Sequence, residues 1–190
     1  MTTDLPAVRR VVTGHTASGD ATIIEDGPAP LEVRNPARPG FVLRNLWRTT
    51  ESPVMVNATD TIADQEGLLP PTNGTVLRVI DFPAEPTDPD VLREQLEAAF
   101  RANYPDADHT GSSHDQPHPG MHKTATVDYA IVLHGSIIAI LDDCETEMHA
   151  GDILIQRGTN HAWSNRSGEP ARIAFILIDG DASAEQPSSE

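Results

Sequence analysis

From Met121 to Asp179 turn residues cut the chain into short apolar runs about ten residues apart: "KTATVDYAIVLHG", "SIIAILDD", "ETEMHAGDILIQRG", "HAWSNRSG" and "ARIAFILID". Gly135, Asp142-Asp143, Gly151-Asp152, Gly158 and Gly168 supply the punctuation. Runs this short, rich in Val, Ile and Thr, suit strands, and tight turns between successive strands impose antiparallel pairing. The segment therefore predicts an antiparallel sandwich or barrel. The first third continues the theme with "RRVVTGH", "ATIIEDG", "FVLRNLW", "SPVMVNA" and "GTVLRVIDF", and "TASGD" reads as a hairpin loop between the first two. One helix interrupts the strands near 88–102. Asp88 can cap it, Pro89 suits its first position, and Leu92, Leu96 and Ala99 or Phe100 form one apolar stripe, expected to lie on the outside of a sheet. The Pro/Gly-rich loop that follows carries His109, His114 and His118.

Side chains alternate faces along a strand, so His122, Thr124, Thr126, Asp128, Ala130 and Val132 share one face, while Val127, Tyr129, Ile131 and Leu133 share the other. The first face starts polar and becomes apolar, as a ligand pocket with a packed floor requires. A second segment, "GDILIQRGTNHAWSN", brings His161, with Trp163 and Asn165 on its face. Two histidines and a carboxylate from separate strands could converge on one divalent ion and leave coordination positions open, which suits non-haem Fe(II) and is also compatible with Zn, Mn, Ni or Co. The alternative is a metal-free barrel in which these groups hydrogen-bond among themselves, although an inward Asp without a partner is costly. Arg157 could hold an anionic substrate group at the pocket mouth. Asn165 is expected to pin the following turn, and no residue stands out as a general base. Cys144, the only cysteine, excludes an internal disulfide and any multi-cysteine zinc cluster.

The two segments resemble the paired motifs of the cupin superfamily. His122 occupies the first motif's leading histidine, Asp128 its acidic position and Gly135 its closing glycine, while Gly151, Gly158, His161 and Asn165 fill the second motif, with Arg157 in its proline position. Thr124 stands where the family's second histidine would be. The resemblance implies an all-β fold: a single antiparallel β-barrel of the jelly-roll type with an N-terminal strand arm and one or two peripheral helices. It implies a metal held by His122, Asp128 and His161, with His118 as a possible extra ligand, and a substrate lined by Thr124, Thr126, Ala130, Trp163 and Arg157. The implied activity is that of a metal-dependent enzyme acting on a small oxygen-chelating, carbonyl or hydroxylated molecule, with an Fe(II) dioxygenase favoured. A Zn- or Mn-dependent lyase, decarboxylase or isomerase is the alternative. A non-catalytic small-ligand-binding module is the third reading.

The remaining expectations come from composition. Thirteen basic against 29 acidic residues leave a formal charge of −16 and a pI near 4.7, a surface that repels nucleic acid and anionic membranes. No apolar run spans a bilayer and the opening residues lack a secretory pattern, so a cytoplasmic protein is expected. One domain is expected, with residues 1–35 as the arm, 36–180 as the barrel and 181–190 as a disordered tail. Edge strands in such an arm seek a partner, which predicts a homodimer.

Overall fold

The computed structural model describes residues 5–183; residues 1–4 and 184–190, the latter most of the expected tail, lie outside it. Strands β1 (Arg9–His15) and β2 (Ala21–Pro28) pair through the Thr16–Asp20 loop into a two-stranded ribbon of their own. The rest form two sheets. The larger joins β3 (Leu31–Arg34), β4 (Val42–Thr49), β5 (Thr75–Phe82), β6 (Thr126–His134), β9 (Ile153–Arg157) and β11 (Ala171–Asp179), in the order β3-β4-β5-β11-β6-β9. The smaller joins β7 (Ser136–Ile140), β8 (Glu145–His149) and β10 (Ala162–Ser164), in the order β10-β7-β8. Every ladder pairing among the described strands is antiparallel, and the inner faces of both sheets meet in one core, with Val76, Ile80, Phe82 and Ile173 of the larger sheet against Ile137, Ala139 and Met148 of the smaller. Burying each such side chain contributes about 1.5–3 kcal/mol.

Alternation along β6 is realised as expected: Thr126, Asp128, Ala130 and Val132 are buried, whereas Tyr129 and Leu133 face outward. Gly135 turns the chain between β6 and β7 at φ 70°, and a Cβ there would meet the Pro170 carbonyl oxygen at 2.8 Å. "SPVMVNA" does not become a strand. Val54, Met55 and Val56 stay exposed in an irregular loop that no neighbouring strand pairs.

Helix α1 (Pro89–Asn103) begins as its sequence requires: the Asp88 carboxylate accepts the Asp90 and Val91 amides at 2.9 and 3.4 Å, and Pro89 sits in the first turn. Its buried stripe is Leu96, Ala99 and Phe100. Rather than covering an outer sheet face, that stripe lines the interior cavity described next. No described helix is long and apolar enough to cross a membrane.

Candidate active site

One cavity gathers most of the residues singled out by pattern. His122, Thr124, Asp128, His161 and Trp163 line it, among apolar walls from Phe82, Phe100 and Phe175. His122 and His161 meet because their backbones pair: each N–H donates to the other's carbonyl, at 2.9 and 3.0 Å, which brings the ring centroids to 4.3 Å. The Trp163 ring stands edge-on to His161 at 6.0 Å, and Phe100 of α1 leans over His122 at 5.2 Å.

Both imidazoles are neutral at pH 7. Burial, then the positive charge that His161 would carry, pushes the His122 pKa down to about 3; burial pushes that of His161 down to about 4. Their Nδ1 atoms have different surroundings. His122 Nδ1 has the Gly120 carbonyl at 2.9 Å and donates to it, which leaves Nε2 bare. His161 Nδ1 has two partners: the Gln156 amide, which could donate to it from 2.8 Å, and the Thr159 carbonyl at 3.0 Å, which could accept from it. Gln156 is oriented for the first by donating its other N–H to the Thr159 carbonyl and accepting from Thr159 Oγ1. His161 thus has an Nδ1 partner in either tautomer, and its Nε2 can carry or release a proton without stranding the ring.

Asp128 lies across the β6–β9 ladder from Gln156. It is buried, its Oδ1 has no hydrogen-bond partner, and burial raises its pKa to about 6 against the opposing pull of Thr126 and Arg78. The three expected ligands therefore share a cavity without forming a ligand cluster. Among the described residues no three His, Cys, Asp or Glu side chains come together as a metal-holding group. β6 starts only at Thr126, and a bend at Ala125 lies between His122 and the strand that carries Asp128.

Other expectations are redistributed. His118 donates from Nε2 to Glu85 at 3.1 Å and accepts the Gly120 amide at Nδ1, so both ring nitrogens are committed and it is not an extra ligand. Thr126 bonds Thr124 at 2.7 Å, and Ala130 packs in the core; neither lines the cavity. Arg157 is exposed at the end of β9, away from the lining. Asn165 pins its turn, donating to the Phe82 and Glu169 carbonyls and accepting from Ser167.

Three polar lining side chains went unread in the sequence: Arg78, Arg38 and Tyr104. For Arg78 a signal existed, since it shares strand parity with Val76, Ile80 and Phe82, a cation on an apolar face. Burial lowers the pKa of both arginines and lifts the Tyr104 phenol to about 12.

Comparison with known proteins agrees with this architecture. The family model described as a cupin domain matches residues 109–178. "Phomopsin biosynthesis cluster protein C'" of Diaporthe leptostromiformis is 30% identical over 187 residues, covering 93% of this chain and 80% of that one. The chain belongs to the cupin family. This cupin is also 27% identical over 184 residues to "Cupin-domain-containing oxidoreductase virC" of Hypocrea virens, covering 92% of this chain and 78% of that one. Among solved structures, the cupin domain of Schizosaccharomyces pombe Cnp3 aligns with 90% of this chain and 87% of its own, at 10% identity and a TM-score of 0.42.

Proposed function

We propose that this cupin is an enzyme that moves protons on a small oxygenated organic molecule held in the cavity, in the class of isomerisations, eliminations and decarboxylations. The observation that carries the reading is the His122–His161 pair. One imidazole presents a bare, unprotonated Nε2 that can take a proton from the substrate; burial makes it a weak base, so a negative charge on the bound substrate must stabilise the imidazolium it forms. The His122 imidazolium so formed returns that proton to the substrate at its second position, and the other imidazole, whose Nδ1 has a partner in either tautomer, can present Nε2–H to a substrate oxygen as a hydrogen-bond donor. The apolar walls exclude water, which protects a carbanion-like or enolic species from stray protonation. Thr124, hydrogen-bonded to Thr126, offers a hydroxyl beside the pair.

Three relatives, virC of Hypocrea virens, srdD of Neurospora crassa and fogC of Aspergillus ruber, are named as cupin-domain-containing oxidoreductases, which favours a second reading, an oxidoreductase. None of the side chains in the cavity takes up electrons, so that activity would need a redox group or metal supplied to the protein, with Fe(II) and oxygen the first combination to add. One experiment separates the readings: diketones, hydroxy ketones and 2-oxo acids are incubated with the protein in D2O and followed by NMR, with parallel oxygen-uptake assays after addition of Fe(II), Zn or Mn. Deuterium entering carbon next to a carbonyl, lost in His122→Gln and His161→Gln, supports proton transfer. Oxygen uptake dependent on added Fe(II), without exchange, replaces it with the oxidoreductase. Binding without exchange, conversion or uptake would reduce the chain to a ligand-binding module.

A further inference from the structure

Buried arginines elsewhere in the protein are paired with carboxylates. Arg44 bonds Glu32 and Asp81, Arg10 bonds Asp60 and also contacts Glu25, and the largely buried Arg172 grips Asp81 through two nitrogens. Arg78 has no such partner among the described residues. It is 0% exposed, and none of its three guanidinium nitrogens has a hydrogen-bond acceptor there. Its neighbours on the adjoining strands are Asn45 and Phe175, and it lines the same cavity as the histidine pair. Arg38, also buried and lining that cavity, rests over the Phe41 and Phe82 rings at 5.3 and 5.7 Å and makes no side-chain hydrogen bond to the described residues.

The nearby acids are engaged elsewhere or insufficient. Glu85, the carboxylate closest in effect to Arg38, accepts from His118 and Ser164. Asp106, which attracts Arg78, is taken by the Leu68 and Leu69 amides. Asp128 attracts Arg78 without bonding it. Two dry guanidinium groups facing one cavity leave it with donors and positive charge that the protein does not satisfy. Leaving a buried cation unpaired is costly, and a ligand that supplies the missing acceptors recovers that cost on binding.

We infer that Arg78, assisted by Arg38 and the Tyr104 hydroxyl, is the anion-holding subsite of this cavity, and that the substrate is an otherwise apolar molecule bearing a carboxylate. The planar fork of a guanidinium matches a carboxylate through two parallel hydrogen bonds, and the aromatic walls suit an apolar remainder. This deepens the proton-transfer reading and rests on it for the chemistry, since the carboxylate would fix which carbon faces His122 and His161. It also moves the anion-holding role expected at Arg157 from the exposed strand end to the interior.

The probes are benzoate and its neutral analogue benzamide, with inorganic phosphate as a second anion, measured by titration calorimetry on the full chain. Benzoate should bind about 10- to 100-fold more tightly than benzamide. Arg78→Met should abolish that preference, and His161→Gln should keep it. A wild-type ratio below about 3-fold, a preference surviving in Arg78→Met, or phosphate binding more tightly than benzoate would each overturn the assignment. Should Arg78→Met fail to fold, the wild-type ratio and Arg38→Met decide. If benzoate preference holds while no deuterium exchange is found with any substrate, the proton-transfer proposal fails and the subsite stands.

Discussion

Replacing Arg78 by methionine should stabilise the ligand-free protein. The side chain lies on the inward face of β5, wholly buried, with Nε and both terminal nitrogens unpartnered. Desolvating a guanidinium costs several kcal/mol, and here the compensation is only the longer-range attraction of Tyr104, Asp106 and Asp128. Methionine keeps most of the aliphatic stem and removes the charge, so the expected gain is about 1–4 kcal/mol. In a chain of this length that corresponds to roughly 2–4 °C in Tm per kcal/mol. Arg44 on the neighbouring strand is the control: buried but bonded to Glu32 and Asp81, it should cost about 1–3 kcal/mol when changed to methionine, because each acid loses one charged donor, Asp81 keeping Arg172 and Glu32 keeping Arg34. Urea unfolding in a buffer free of carboxylates and phosphate measures both. Opposite signs for two buried arginines one strand apart are the expected result. A loss above about 1 kcal/mol in Arg78→Met would refute the claim that the folded protein leaves Arg78 unsatisfied.

Asn165→Ala should lose about 2–4 kcal/mol in the same assay, because it strips donors from the Phe82 and Glu169 carbonyls and an acceptor from Ser167; Asn165→Asp, which cannot donate, should be no better. Burial pushes the Glu85 carboxyl up, but bonds from His118 and Ser164 outweigh it and hold its pKa below 4.5, so its stabilisation is complete above 4.5 and lost as pH falls through the lower folded value. Ser164→Ala should therefore flatten the fall in urea midpoint below pH 4.5, and an unchanged slope would count against the bond. The outward face carries Tyr129, Leu133, Ile153 and Ile155 at 41–61% exposure, and the β1–β2 ribbon exposes Ile23 and Ile24. A second copy covering them predicts sedimentation at twice the 20.5 kDa chain mass, reduced to one chain mass by Ile155→Glu.

The strand ladder was legible because its information is local. Short β-branched runs, turn glycines and alternation along β6 all express themselves within a few residues, and the same parity put His122, Thr124 and Asp128 inward. The expected ligand set shows how far parity reaches. Sharing a face does not bring side chains together, and the bend at Ala125 gives His122 a partner in the paired backbone of His161 while Asp128 keeps its place opposite Gln156. That bridge joins residues 39 positions apart in number, 122 and 161, and no local pattern announces it. The arginines escaped for two different reasons. Arg78 was readable, since alternation through Val76, Arg78 and Ile80 places a cation among core residues, but "GTVLRVIDF" is apolar enough to pass as an ordinary strand. Arg38 sits in the loop "NPARPG", where no period exists, and only the fold lays it over Phe41 and Phe82. A charge on the apolar face of a buried strand is costly for folding, so a binding role is the first explanation to test when the structure withholds its partner. By that argument Arg78, rather than the degenerate motif around Thr124, is the residue that most narrows what this cupin can bind.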